Sequence, residues 1–72
     1  MPAVHVSWES DPVSLHAEEA TTLNRLFALL REHLNIRKRS IPMPDRERGG
    51  YIAFLYEPVD PRRLAELIIG ME

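Results

Sequence analysis

Ser14–Leu34 reads SLHAEEATTLNRLFALLREHL, and its spacing decides the fold class. Ala20, Leu23, Phe27, Leu30 and Leu34 recur at steps of three and four, which places them on one face of a helix. The start falls at Ser14, a good N-cap, or at His16, a poor one. Glu18 and Glu19 then lie in the first turns and Arg31 and His33 near the end, the polarity that the helix dipole favours. Leu26 and Leu29 widen the apolar surface beyond one core stripe. A helix buried on one face alone does not need them. They therefore predict cover from a second helix or another subunit, and they are the candidate residues of a protein interface.

Upstream, Val4, Val6 and Trp8 alternate with Ala3, His5 and Ser7, so a strand is expected over 3–8. Glu9-Ser10-Asp11-Pro12 is turn chemistry, because Asp and Ser bond to their own backbone and Pro fixes φ. Downstream of the helix the chain becomes basic. Residues 1–35 carry two positive and five negative side chains, residues 36–49 five and two, and residues 50–72 two and four. The net charge of −2 conceals this central positive arm. Pro42 and Pro44 deny it two ladder donors, so any strand within it is an edge strand. Gly49-Gly50 reads as a turn, and Tyr51-Ile52-Ala53-Phe54-Leu55-Tyr56, apolar or aromatic at every position, as a central strand covered on both sides. Asp60-Pro61 supplies a cap followed by proline at the first helical position, and Leu64, Leu67, Ile68 and Met71 define the buried face of a last short helix. Arg62 and Arg63 in its first turn oppose the dipole, a cost that an anionic partner, or more simply pairing with Asp60 or Glu66, would offset.

The expected order is strand, long helix, basic edge segment, strand, short helix. This is an α+β fold, a small sheet of two to four strands covered by two helices. At 72 residues the chain has material for one domain, spanning 1–72, with a thin core. With no cysteine it can form no disulfide, thiolate zinc site or Cys nucleophile. Its longest run free of polar groups, Leu26–Leu30, is five residues, against the roughly 20 that a membrane span requires. The N-terminal residues lack the basic-then-apolar pattern of a secretory signal, so a cytoplasmic, prokaryotic or viral setting is expected.

Catalytic signals are sparse. His5, His16 and His33 stand 11 and 17 residues apart, without the short spacing of a metal pair. The carboxylate pairs Glu9/Asp11, Glu18/Glu19 and Asp45/Glu47 fall in turns, a helix start and a loop, where nothing predicts the cleft that would set their pKa values apart. The nucleophile-elbow, dinucleotide and P-loop glycine patterns are absent. No catalytic residue, metal or cofactor is therefore assigned.

Met1-Pro2, followed by a strand and a long amphipathic helix, resembles the 4-oxalocrotonate tautomerase family. The likeness extends to Ala17–Leu23 at the helix start and to the apolar strand ending near Glu57. It implies an enzyme using the Pro2 amine as general base once the methionine is removed. The chain departs from the family in carrying Glu9-Ser10-Asp11 where an arginine usually follows the first strand, and in the basic arm between helix and strand.

Two binding readings come from the residues themselves. A small non-enzymatic interaction or regulatory module of bacterial or phage type, working through dimerisation or a protein partner at Leu26 and Leu29, follows from the surplus apolar surface. A nucleic-acid-binding regulator follows from the arm at 36–48, where Arg37, Lys38, Arg39, Arg46 and Arg48 could meet phosphates or another anion.

Overall fold

The structure, a computed structural model, describes residues 3–71. Its elements are β1 (His5–Ser7), β2 (Val13–Ala17), α1 (Ala20–Leu34), β3 (Met43–Pro44), β4 (Tyr51–Leu55) and α2 (Pro61–Gly70). The four strands form one sheet in the order β1-β2-β4-β3, every pairing antiparallel. The α+β class and the two helices are as the sequence predicts. The element it does not predict is β2.

Residues 13–17 form a strand where a helix start was expected. Val13, Leu15 and Ala17 alternate with Ser14 and His16, a period of two that is long enough for a strand and too short to exclude a helical turn. Position decides between them. β2 lies inside the sheet, bonded to β1 on one side and β4 on the other, so its backbone groups find partners along both edges. The helix begins only at Ala20, with Glu19 as an N-cap that makes no side-chain capping bond. At its other end Asn35 turns left-handed (φ 55°), and the N–H groups of Asn35 and Ile36 both donate to the Leu30 carbonyl. Asparagine tolerates that conformation better than most residues, and the turn carries Ile36 back into the core.

The register assigns each strand residue to a face. Val6 pairs with Leu15, Leu15 with Ala53 and Val13 with Leu55, and these share one face. Leu15, Ala17, Ala53 and Leu55 from that face join Leu23, Leu26, Phe27 and Leu30 of α1 and Leu64 and Ile68 of α2 in a single core. Both helices therefore lie on one side of the sheet. The expectation that residues 51–56 form a strand covered on both sides is corrected. β4 is central in strand order, but Ile52 and Phe54 point to the face that no helix covers, and they are only partly buried.

The basic arm is a divided edge strand. Residues 38–40 run along β4, with Tyr56 N–H donating to the Lys38 carbonyl and Ser40 N–H to the Phe54 carbonyl, both at 2.8 Å. Pairing resumes at Met43 opposite Ile52. From Arg39 to Met43 the arm advances four residues while β4 advances three, from Leu55 to Ile52. The extra residue is a bulge at Ile41-Pro42, where proline could not donate. Beside it, Ser40 Oγ accepts from Phe54 N–H at 2.8 Å and so satisfies a donor that the disrupted ladder would leave open.

The β3–β4 turn is pinned from across the sheet. Asp45 Oδ1 accepts from the N–H groups of Glu47 and Arg48, and the His16 Nε2–H donates to the Gly49 carbonyl at 2.7 Å, with Asp45 Oδ2 at 3.7 Å. Gly50 has φ +67°, and a Cβ there would lie 2.5 Å from the Ala17 carbonyl oxygen, so only glycine fits. The α2 start is as expected: Asp60 accepts from Arg62 N–H at 2.9 Å, with Pro61 next. No ion pair joins Arg62 or Arg63 to Asp60 or Glu66. Among the described residues the one pair within salt-bridge distance is His16–Asp45.

Candidate functional site

Two surfaces stand apart from the rest of the molecule. The first is the uncovered sheet face. Pairing sets His5 beside His16, Ser7 beside Ser14, Ser14 beside Phe54, His16 beside Ile52, and Ile52 beside Met43. These positions include no Asp, Glu, Lys or Arg, in a chain of which 28% is charged. Met43 is 37% exposed, and Ile41 and Tyr56 at the margin are 70% and 56% exposed. The nearest charges, Lys38 and Asp45, stand at opposite ends of β4, with the Asp45 carboxylate engaged by its own turn.

The second lies on the helix side, at the far end of the sheet from the pinned turn. Arg31 of α1 and Arg37 and Arg39 of the arm line a concave depression of about 480 Å³ beside Phe27. The Arg39 guanidinium lies over the Phe27 ring, 4.3 Å from its centroid. That cation–π contact leaves Phe27 only 4% exposed and holds a planar cation at the rim. Glu32 is the one carboxylate lining the same depression. Glu57 does not neutralise the arginines by side-chain pairing. Its Oε2 instead accepts from the backbone N–H groups of Arg37 and Lys38, both at 2.6 Å. The Lys38 N–H, then the Arg37 N–H, holds the Glu57 carboxyl below the ordinary glutamate range. The backbone of the arm is fixed while the guanidinium groups form no ion pair among the described residues, Arg39 Nη1 donating to the Ser40 carbonyl at 3.4 Å.

Leu26 is 0% exposed, packed into the core formed by the sheet and both helices, and presents no surface to a partner. The apolar excess seen in the sequence is covered within the chain, because α2 folds onto α1. Leu29 is half-buried. Of the five basic candidates, Arg37 and Arg39 come together, Lys38 alternates to the opposite side, and Arg46 and Arg48 sit on the β3–β4 turn. The length of β4 separates the two groups, about 14 Å at ~3.4 Å per residue.

In the sequence Arg31 stands as a complement to the helix dipole, and nothing there marks Phe27 or Glu57 as part of a site. Arg31 and Phe27, at i and i+4 on α1, were nevertheless on one helix face in the sequence. Nothing local links Glu57 to residues 19 and 20 positions earlier. His5 and His16, which looked unrelated at 11 residues apart, are cross-strand neighbours, and His16 is a strand residue rather than a helix start. Among the described residues no group of three or more His, Asp or Glu could hold a metal ion, and no helix is long and apolar enough to cross a membrane. Pro2, on which the tautomerase reading depends, lies outside the described residues, and the direct strand-to-helix passage that carried the resemblance is interrupted by β2. Compared with known proteins, the chain matches no family model, no curated protein and no solved structure.

Proposed function

We propose that the protein is a small non-enzymatic interaction module that works as a homodimer, joined through the uncovered sheet face. The observation carrying this reading is the absence of Asp, Glu, Lys and Arg from the paired positions of that face. In a two-fold dimer a patch meets its own copy, so a patch of one charge repels itself while a neutral one does not. Ile52, Phe54 and Met43 supply the apolar contact, and Ser7 and the exposed His5 supply groups that can both donate and accept across the axis. This face replaces Leu26 as the site of association, and the cytoplasmic setting expected from the sequence belongs to the same proposal.

Sedimentation equilibrium tests it. The wild-type chain should sediment as a dimer at micromolar concentration. Met43→Glu, on an exposed edge position, places a carboxylate in the apolar contact of each copy and should weaken the dimer by roughly tenfold or more with an unchanged circular dichroism spectrum. A wild-type chain that is monomeric at high micromolar concentration, or a Met43→Glu dimer as tight as wild type, would overturn the proposal.

A further inference from the structure

We infer that the depression formed by Arg31, Arg37 and Arg39 binds the sugar–phosphate backbone of a single-stranded nucleic acid. This site is on the opposite side of the molecule from the proposed dimer face and does not depend on it.

All three cations are guanidinium groups, whose planar fork of N–H donors matches phosphate oxygens better than a compact ammonium does. Three arginines and Glu32 leave the depression with a formal charge of +2. Arg37 and Arg39 are two residues apart on an extended segment, so their Cα atoms are about 6.8 Å apart and on the same side. That spacing lets each take a different phosphate of one strand. Phe27 adds a second element. The Arg39 guanidinium lies over the ring and Arg39 remains exposed, so a base can stack beside it. The surface is set before a ligand arrives, because Glu57 holds the backbone at Arg37 and Lys38 and the ring holds Arg39. Concavity favours a flexible strand. A duplex, stiff over about 150 base pairs, offers a convex rod that cannot follow a depression this small.

Fluorescence anisotropy with a fluorescein-labelled oligodeoxythymidylate of about 12 nucleotides reads the site directly. Binding should be measurable at low salt and should fall with salt at a log–log slope near −2, about 0.7 for each of three phosphates. Arg37→Gln should weaken binding by roughly fivefold or more and reduce the slope by about 0.7. Arg37 is exposed and lies outside the core cluster, so its loss does not disturb the core. Arg39→Lys keeps the charge and the slope but gives up the stacking plane, and should also bind more weakly. Changing Arg46 and Arg48 together to Gln should have a smaller effect than Arg37→Gln alone. The inference is overturned by wild-type protein that fails to bind at low salt, by Arg37→Gln binding as wild type does, or by an Arg46/Arg48 effect at least as large. Tighter binding of the matching duplex, or of a labelled phosphoserine peptide, would also overturn it. The Met43→Glu monomer should keep single-site affinity for the oligonucleotide, so failure of the dimer proposal and failure of this one are distinguishable.

Discussion

The uncovered sheet face and the arginine depression border one another only along the arm at residues 37–43, yet the paired positions of the first carry no charged side chain and the second is strongly positive. Strand alternation produces the difference. Along residues 37–40, Arg37 and Arg39 turn toward the helix side while Lys38 and Ser40 turn toward the open side, and the bulge at Ile41-Pro42 then resets the phase so that Met43 joins Ile52 on the open face. Without the extra residue, Met43 would sit on the opposite face, because a shift of one residue reverses every side chain. A basic arm in sequence is thus two unlike surfaces in space. Its charge count alone could not have separated them.

The largest way to break the comparison is to remove both surfaces together. Leu15 is 0% exposed at the centre of β2, and Leu15→Ala should cost about 2–5 kcal/mol. At roughly 0.05–0.15 kcal/mol per residue, a chain of 72 residues has about 4–11 kcal/mol in all, so the loss takes a large share of it. Urea unfolding should show a much lower midpoint for this variant, with dimerisation and oligonucleotide binding lost in parallel as the chain unfolds. A smaller change should touch neither surface. Asp60→Ala removes the α2 cap and should lower stability by about 1 kcal/mol, while Asp60→Asn should restore most of it. Both binding properties should survive in conditions where the variant is folded.

Glu57→Ala should have the smallest effect on stability and the most selective effect on function. It releases the N–H groups of Arg37 and Lys38, so oligonucleotide affinity should fall while the dimer is unaffected. Its pH dependence has a definite sign. The Glu57 carboxyl titrates below its ordinary range because backbone N–H groups of Lys38 and Arg37 donate to the ionised form, so its contribution is complete above the ordinary glutamate value of about 4.3. The contribution disappears as the pH falls through the lowered value. Wild type should therefore be more stable than Glu57→Ala at neutral pH, and the two urea midpoints should converge in acid. A gap that persists in acid would assign the stabilisation to something other than the carboxylate.

How far the chain could be read depended on the range of the interactions involved. α2 was legible because Asp60, Pro61 and the spacing of Leu64 and Ile68 act within one or two turns. The body of α1 was legible for the same reason. Its beginning was not, since Ser14 can cap a helix or lie in a strand, and only β1 and β4 settle which. Leu26 misled because a wide apolar helix face looks the same whether α2 or a second chain covers it. The candidate sites were half visible. Arg37 and Arg39 stood out as charges, whereas Arg31 joins them only because the Asn35 turn carries the chain back past the end of α1.

By itself the sequence determined the elements set by short-range rules: an α+β class, two amphipathic helices, an apolar strand and a proline-bearing edge. Periodicity, capping and the loss of backbone donors at proline act locally and leave their mark in the order of residues. Tertiary structure alone decided that Val13–Ala17 is a strand, that both helices lie on one side, and that the open face carries none of the arm's arginines. Those outcomes depend on which distant segments meet. Burial, pairing register and a one-residue bulge are properties of the assembled chain, and no window of sequence contains both partners.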